Sequence, residues 1–447
     1  MEYLFTKTPL VWALQSYWRD EAFSVILSQK PFLQLIQITA NDFSPPLYYF
    51  ILKIWIYFFG NSEIATRAFS VLMFFGLIFV SLRFLRTILN LSKFNTAIVT
   101  LLICFSPIFT YYAFETRMYS MIAFLSAYSW LALLSGKRKT FVVMSVLGLY
   151  THYSQIFIFV SQLLYILIQD DKNFRLSISS AKLGIKNWSR EIVGITVAYL
   201  PWVLYFISQH TDIYSQGFWT AKPKILSLIH LPAILLTGYE NDFWFSYNFS
   251  SITLSVVVLF STIYYLLRRN GQFGKQKYNR LFWAFIIWLV VPGLLIFLIA
   301  QVGPSLFVPR YMIVSTISIY FAIGFALKRF NHPALYLFIV IFFWQCNSYQ
   351  EIQIKNRTKD DVAKVMKFVN THTSPNDYLL LESELDFHLA QLYFKNPDKV
   401  YIVGKKYEDL PRYIGKSLIP SNQVFEHVPP DLTGYWYTNS REIRTIK

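Results

Sequence analysis

Charged residues and cysteines are both scarce in this sequence. Only 15% of its 447 residues are charged, whereas 55% are hydrophobic and 19% are aromatic. Soluble domains carry roughly 25% charged residues, so the composition excludes an ordinary soluble protein and indicates an integral membrane protein. The two cysteines, Cys104 and Cys346, lie in separate apolar runs. They offer no metal-ligand spacing, and we expect both to be small buried apolar groups.

Acidic residues are the scarcer charged class, with 25 Asp and Glu residues against 41 Lys and Arg residues. A net charge of +16 by itself would point to a nucleic-acid partner. The bases, however, fall in short clusters between apolar runs, which is the pattern that sets the orientation of a membrane protein. The sequence therefore predicts membrane lipids, and not nucleic acid, as the surroundings of this chain.

Long apolar runs are what the sequence has in abundance. We predict spanning helices at 66–86, 95–112, 118–135, 190–208, 250–268, 280–300, 311–328 and 333–349. The region 140–168 is too long for one straight span and carries Thr151, His152 and Tyr153 at its middle. We interpret it as two short spans that meet at a polar turn, which gives a polytopic α-helical protein with about ten transmembrane helices.

The first 65 residues have no run of this kind. The apolar run from Pro9 to Trp18 is shorter than the ~20 residues that a span needs, and no small-residue cleavage site follows it. Two half-apolar stretches then lie between residues 22 and 60, on either side of a polar break at Asp42, and Lys53 interrupts the second. We expect both to form helices that lie at the membrane interface rather than crossing it.

Basic residues are distributed unevenly between the loops. One set of alternate loops holds Arg83, Arg86, Lys93, Lys137, Arg138, Lys139, Lys172, Arg175, Lys182, Lys186, Arg190, Arg268, Arg269, Lys275, Lys277, Arg280, Lys328 and Arg329. The other set holds only Arg117, Lys222, Lys224 and Arg310. Because cytoplasmic loops carry the excess of Lys and Arg, we expect a multi-pass protein of the plasma membrane with the second set of loops outside.

The composition changes after residue 350. Val362, Val365, Met366 and Val369 recur at helical spacing, and the segments LLLE and VYIVG have the composition of short strands around a second helix near 385–394. We therefore expect three parts. These are an N-terminal region with the first outer loop at 1–65, a transmembrane domain at 66–349 and a small extracytoplasmic α/β domain at 350–447.

Polar residues of the predicted outer side are few and lie on separate segments. They are Asp20, Glu21, Asp42, Glu115, Arg117, Tyr119, His152, Arg310 and Tyr311. Acids beside a membrane are costly to desolvate, so a cluster of them is a functional candidate. An isolated arginine among so few outer bases is suited to bidentate binding of a phosphate.

Each of these residues also has a structural alternative. The acids can be solvated loop residues, and Glu115 and Arg117 can pair as a helix-end cap of small energetic value. Arg310 can be an anchor at the membrane interface, and His152 can be a hydrogen-bonded polar kink. We expect Asp212, Glu240 and Asp242, in the long loop 209–249, to be solvated.

The order of the polar segments resembles a known family. The DE pair at Asp20 and Glu21 is followed by DFSPPLYY, FGNSEIATRAFS, SPIFTYYAFETRMYS, GLYTHY and PRY. Over roughly residues 18–350 this order is similar to the polyprenyl-phosphate-sugar-dependent glycosyltransferases with the GT-C fold, which include protein mannosyltransferases and aminoarabinose transferases. Family members have a full span before the DE pair, whereas only residues 1–19 precede it here.

The resemblance implies a membrane glycosyltransferase that moves a sugar from a polyprenyl-phosphate donor to a hydroxyl of a glycan, lipid or protein acceptor at the outer face. It implies that Asp20 is the catalytic acid of the first loop and that Glu115 is the acid of the second. Arg117 and Arg310 would hold the donor phosphate. One base and one phosphate clamp suit a single displacement with inversion, unlike the two carboxylates of glycoside hydrolases.

On this basis we assign Asp20, Glu21 and Glu115 as candidate catalytic residues. The candidate substrate-binding residues are Asp42, Arg117, Tyr119, His152, Arg310 and Tyr311. We expect no required cofactor. Whether the carboxylates hold a divalent metal stays open, because carboxylates without a fixed geometry are weak indicators of a metal site.

Two other classes of function compete with this prediction. A lipid or glycolipid transporter, such as a flippase, places ionisable residues or broken helices near the membrane midplane. Here the interiors of the predicted spans are almost free of charge and the ionisable groups gather at one face, which favours the transferase. A membrane anchor carrying a C-terminal binding module would not require acids and arginines on four separate outer segments.

Overall fold

The N-terminal segment contains the helices α1 (Val11–Leu14), α2 (Arg19–Gln29), α3 (Phe32–Asn41) and α4 (Leu47–Phe59). The computed structural model describes residues 6–171, 177–209, 220–238, 247–269, 276–330, 332–428, 432–439 and 441–446. The loop acids Asp212, Glu240 and Asp242 lie outside these ranges. Pro31 separates α2 from α3, and Pro46 immediately precedes α4, because proline opens a helix but cannot continue one.

Helices α3 and α4, which we predicted to lie at the interface, expose large apolar side chains. Leu33 of α3 is 82% exposed, and Tyr57 and Phe58 of α4 are 83% and 70% exposed. Lys53 of α4 donates to the backbone oxygen of Lys30, so the two helices are joined at the start of α3. A short helix pair with exposed apolar side chains and a lysine beside them has the character of a segment lying in the membrane interface.

The next helices lie between residues 63 and 356. They are α5 (Glu63–Thr87), α6 (Lys93–Cys104), α7 (Pro107–Ala113), α8 (Tyr119–Leu134), α9 (Arg138–Thr151), α10 (Ser154–Ile168), α11 (Ile178–Gln209), α12 (Ile225–Ile229), α13 (Leu231–Thr237), α14 (Tyr247–Arg269), α15 (Gln276–Val302), α16 (Ile313–Phe330) and α17 (Pro333–Asn356). Helices α6 and α7 meet at a bend of 62°, where Pro107 opens α7. Helices α9 and α10 meet at His152 and Tyr153, which agrees with the polar turn predicted inside 140–168.

Within the described ranges, five helices are long and apolar enough to cross a membrane, or six if the bent pair α6–α7 is one span. Helices α4, α8 and α10 are apolar but shorter. At ~1.5 Å per residue they rise about 20–24 Å, less than the ~30 Å of a bilayer core. The chain is therefore a multi-pass helical membrane protein, and the expected total of ten spans stays a prediction.

An α/β region follows α17. It contains α18 (Val362–His372) and α19 (Phe387–Tyr393) with the strands β1 (Tyr378–Leu381), β2 (Val400–Val403), β3 (Val424–Phe425), β4 (Gly434–Tyr437) and β5 (Ile443–Ile446). The sheet has the order β3-β2-β1-β4-β5, and only β5 runs antiparallel to its neighbour. Leu380 on the central strand lies opposite Tyr401 and Trp436. The two helices and the first two strands agree with the periodicity seen in the sequence.

The α/β region packs directly on helix α2. Ala22 and Val25 belong to the same buried apolar cluster as the sheet, whereas Phe23 and Leu27 belong to the cluster of the membrane helices. The approach is close, because a Cβ at Gly415 would lie 2.4 Å from Cδ2 of Phe23. Helix α2 is therefore held between the membrane helices and the α/β region.

We expect labels on the exposed faces of α3 and α4 to contact lipid. Nitroxides at Leu33→Cys and Phe58→Cys, in a background without Cys104 and Cys346, should be relaxed by oxygen more than by a polar nickel reagent in reconstituted vesicles. Exposed Lys395 of the α/β region gives the matched control, and its label should show the opposite preference. Equal preferences at all three positions would contradict an interfacial position of this helix pair.

Candidate active site

The carboxylate of Glu21 is the best-connected polar group of the site. It is completely buried, at 0% exposure. Oε2 accepts hydrogen bonds from Trp18 N at 2.7 Å, Arg67 Nη2 at 2.9 Å and Lys359 Nζ at 2.6 Å. Oε1 accepts from Arg67 Nε and from the backbone N of Thr116, both at 2.9 Å. Five donors therefore converge on one carboxylate from four separate segments of the chain.

These donors determine the protonation state of Glu21. Burial raises the pKa of this carboxyl, but the positive charges of Lys359 and Arg67 outweigh burial and hold the pKa below its usual range. Arg67 and Lys359 are themselves buried, with side chains 1% and 4% exposed. We predicted Glu21 as a candidate catalytic residue, and that role stays a prediction. A carboxylate whose oxygens already accept five hydrogen bonds has the contacts of a structural anchor.

Asp20, the neighbour of Glu21, faces a different environment. Its side chain is 34% exposed, and Oδ2 lies 3.9 Å from Nη1 of Arg310, whose side chain is 14% exposed. Arg117 donates through Nη1 to the backbone oxygen of Asp20 at 3.2 Å and to Oγ of Ser24 at 3.1 Å. The start of α2, the segment before α8 and the turn before α16 thus meet at Asp20.

Glu115 and Arg117 do not form the helix-end pair that was the structural alternative for them. Within the described ranges their contact is a backbone hydrogen bond, Arg117 N to Glu115 O at 2.7 Å. The Glu115 side chain is buried, with the residue 4% exposed, and its Oε2 has no hydrogen-bond partner among the described residues. Burial raises the pKa of Glu115 to about 7, although Lys359 and Arg310 act to lower it.

Asp42 lies at the end of α3 and is half-buried. Burial raises its pKa to about 8, Arg117 opposes this shift and the charge of Asp20 adds to it. The raised pKa favours the protonated form of this carboxyl, which can donate a hydrogen bond as well as accept one. The buried ring of Tyr49 lies beside these charges, since Arg117, Asp42 and Asp20 all act on its pKa, which burial raises to about 12.

Aromatic rings lie beside these charged residues. The ring of His152 lies 5.8 Å from that of Tyr119 and 5.0 Å from that of Tyr311. Arg117 lies over Tyr119 at 6.0 Å and Arg310 over Tyr311 at 5.9 Å. Nδ1 of His152 accepts from the backbone N of Ser154 at 3.1 Å, which is the hydrogen-bonded kink considered as its structural alternative.

The nine residues singled out in the sequence thus lie in one region. Glu21 is fully buried among its donors, while Asp20 and Arg310 approach each other from separate segments of the chain. In the described part of the chain, no three His, Cys, Asp or Glu side chains are grouped as metal ligands. Metal dependence therefore stays the open question that it was in the sequence.

Two residues of the site were missed in the sequence. Arg67 stands inside the quoted segment FGNSEIATRAFS at the start of a predicted span, and a charge in that position was a usable signal. Lys359 had no such signal, because its neighbours in KNRTKDD are also polar. Only the folded structure brings Lys359 next to Glu21, which is 338 positions earlier in the chain.

The α/β region contributes further contacts beside the cleft. Nη2 of Arg19 lies 3.0 Å from Oδ1 of Asp386. The hydroxyl of Tyr393 accepts from the backbone N of Tyr17 at 2.8 Å. The ring of His388 lies 5.5 Å from that of Phe23. The segment leading into α2 is therefore fixed from outside the membrane helices as well as from within them.

We expect Glu21→Gln to destabilise the protein strongly. Removing one partner of a buried ion pair costs about 3–5 kcal/mol, because the cations stay buried without their counter-charge. Glu442→Gln is the matched control, since Glu442 is 62% exposed in its pair with Arg444 and such pairs contribute about 1 kcal/mol or less. Melting temperatures in detergent should fall clearly for Glu21→Gln alone. Equal melting temperatures for the two variants would contradict the anchor role.

No protein-family model and no curated protein matches this sequence. Among solved structures, ArnT from Cupriavidus metallidurans in the apo state is similar, with a TM-score of 0.61 and 10% sequence identity, covering 96% of this chain and 90% of that one. The structure of ArnT from the same organism bound to undecaprenyl phosphate matches with a TM-score of 0.61 and 11% identity, covering 98% of this chain and 92% of that one. At this identity the likeness shows the fold alone, and the GT-C fold expected from the sequence is confirmed at that level.

Proposed function

We propose that this protein is a membrane glycosyltransferase that moves a sugar from a polyprenyl-phosphate donor to an acceptor hydroxyl at the outer face. One observation carries the proposal. The half-exposed carboxylate of Asp20 lies 3.9 Å from the guanidinium of Arg310, with Arg117 bound to the backbone of the same aspartate. An acid that can accept a proton and two cations that can bind a phosphate are thus within reach of a single substrate.

The donor phosphate binds between Arg117 and Arg310. Both guanidiniums lie against tyrosine rings, which orients them without neutralising them. A planar guanidinium offers paired donors that match phosphate oxygens, and in a partly dehydrated cleft this attraction is stronger than in water. A solved structure with the same fold holds undecaprenyl phosphate, which supports a lipid phosphate as the donor class.

Asp20 acts as the general base. Its carboxylate takes the proton of the acceptor hydroxyl as that oxygen bonds to the anomeric carbon of the sugar. The bond from the anomeric carbon to the phosphate oxygen breaks in the same step, and the electron pair leaves with the lipid phosphate. A phosphate is already a weak base, so it needs stabilisation by positive charge, which Arg117 and Arg310 provide, and no strong general acid.

The remaining residues of the cleft bind the substrates. Asp42 can exchange hydrogen bonds with sugar hydroxyls, while Tyr119, Tyr311 and His152 present ring surfaces to the sugar or the start of the lipid chain. Glu115 can contribute Oε2, which has no hydrogen-bond partner among the described residues. Attack by the acceptor on the face opposite the phosphate gives inversion at the anomeric carbon.

The function is tested with purified protein in lipid nanodiscs, offered a panel of polyprenyl-phosphate sugars together with glycan, lipid and peptide acceptors. The measurement is release of the lipid phosphate. We expect release with one donor class and a suitable acceptor. Donor binding without release under any condition, combined with movement of the lipid between leaflets in vesicles, would identify a flippase instead.

We expect Asp20→Asn to lower the single-turnover rate by roughly 10²–10⁴, which is the usual contribution of a general base. Donor affinity should change little, because the amide keeps the size of the side chain. Exposed Asp398, on the α/β region, provides Asp398→Asn as the matched control, and its rate should equal that of the unmodified protein. An active Asp20→Asn enzyme would remove Asp20 from the role of base.

We expect Arg117→Ala and Arg310→Ala each to weaken donor binding by about tenfold to a hundredfold. A hydrogen bond to a charged group contributes roughly 1.5–3 kcal/mol, and 1.4 kcal/mol corresponds to a factor of ten. Lysine at either position should restore binding only in part, because the paired donors are lost. Arg83→Ala, at an exposed position on α5, is the control. Unchanged donor affinity in both alanine variants would return the two arginines to structural roles.

A further inference from the structure

We propose that Ser24 is a positioning residue of the transferase site, which fixes the guanidinium of Arg117 in the orientation that binds the donor phosphate. This inference rests on the proposed function. It gives a role to a fully buried hydroxyl of α2, one helical turn after the proposed base Asp20. A single turn of α2 then holds both the base and the phosphate ligand in place.

The hydroxyl of Ser24 has two partners. Its Oγ lies 2.9 Å from the backbone oxygen of Asp20 and 3.1 Å from Nη1 of Arg117. The roles in both hydrogen bonds are fixed, because a backbone oxygen can only accept and a guanidinium nitrogen can only donate. The hydroxyl therefore donates its one proton to the backbone of Asp20 and offers a lone pair to Arg117.

The orientation of Arg117 depends on both of these oxygens. Its Nη1 also donates to the backbone oxygen of Asp20, at 3.2 Å. Turning the guanidinium away would therefore break two hydrogen bonds at once. Arginine has many rotamers, so a guanidinium that is ordered before the phosphate arrives loses less conformational freedom on binding. Ser24 thus contributes to donor affinity by ordering the arginine.

The contacts of Arg117 order it without supplying a counter-charge. Among the described residues its guanidinium contacts two neutral oxygens and the ring of Tyr119, and its buried Nε has no hydrogen-bond partner. Arg67 is different, because it donates to both oxygens of the Glu21 carboxylate. A cation removed from water without a counter-charge is costly, and an anion that binds to it relieves that cost. The contacts of Arg117 therefore suit a phosphate ligand.

Ser28 provides a matched control on the same helix. Ser24 and Ser28 are both 0% exposed, and the hydroxyl of Ser28 donates to the backbone oxygen of Ser24 at 2.7 Å. Alanine at either position removes one buried hydroxyl and one hydrogen bond to the backbone oxygen four residues earlier. Only Ser24→Ala also removes an acceptor from Arg117. Comparison of the two variants therefore isolates the contact with the arginine.

The experiment measures the affinity for a polyprenyl monophosphate without a sugar, titrated into nanodiscs that hold the purified protein. Binding is followed by the phosphorus NMR signal of the phosphate monoester, which is distinct from that of the phospholipids. We expect Ser24→Ala to bind about threefold to tenfold more weakly, because one hydrogen bond to a charged group is lost. Ser28→Ala should bind like the unmodified protein. If Ser24→Ala does not fold, Ser24→Cys takes its place, since a thiol is only a weak acceptor.

The double variant Ser24→Ala/Arg117→Ala separates positioning from a general loss of stability. If Ser24 acts through Arg117, its replacement should add nothing to the loss of affinity caused by Arg117→Ala. Additive losses, an unchanged affinity in Ser24→Ala, or an equal loss in Ser28→Ala would each overturn the role of Ser24 and leave the proposed function standing. Failure of the unmodified protein to bind any polyprenyl monophosphate would instead contradict the proposed function, and this inference with it.

Discussion

The contacts of one buried carboxylate, that of Glu21, determine how the segments of the site are arranged. Glu21 receives donors from its own helix start, from α5, from the segment before α8 and from the linker after α17. These segments are distant in sequence, and two of them carry residues of the site, with Asp20 next to Glu21 and with Glu115 and Arg117 on either side of Thr116. Breaking any one of these hydrogen bonds would leave a buried charge with fewer partners, which costs free energy. That cost fixes the positions of the four segments relative to one another. The geometry of Asp20, Glu115 and Arg117 follows from that constraint.

The α/β region also packs against α2 and the segment before it. Tyr17, Ala22 and Val25 are buried in its apolar cluster, and Gly415 reaches Phe23 so closely that a side chain at 415 would collide with the ring. Helix α2 is consequently packed on one side against the membrane helices and on another against the α/β region. The region that the sequence presented as a separate C-terminal unit is, in the structure, part of the support of the cleft.

Local periodicity accounts for what the sequence predicted well. The apolar runs that became α5 and α16, and the strand pattern of VYIVG, report on neighbours within one element. The outer-side residues Asp20, Arg117 and Arg310 were also recognisable, because charge is rare beside apolar helices. Their partners were not, since the pairing of Glu21 with Arg67 and Lys359 depends on how distant segments meet. A sequence does not distinguish a carboxylate whose oxygens already accept hydrogen bonds from the protein from one whose oxygens are available to a substrate.

The two adjacent acids show why this distinction matters for chemistry. Successive residues on a helix point about 100° apart, so Asp20 and Glu21 at the start of α2 face different surroundings by geometry alone. The oxygens of Glu21 accept hydrogen bonds from five donors, whereas the carboxylate of Asp20 lies near Arg310. A base must keep a lone pair for the incoming proton. The hydrogen bonds to Glu21 thus occupy its oxygens, whereas the carboxylate of Asp20 stays partly exposed beside Arg310, as the proposed role of a base requires.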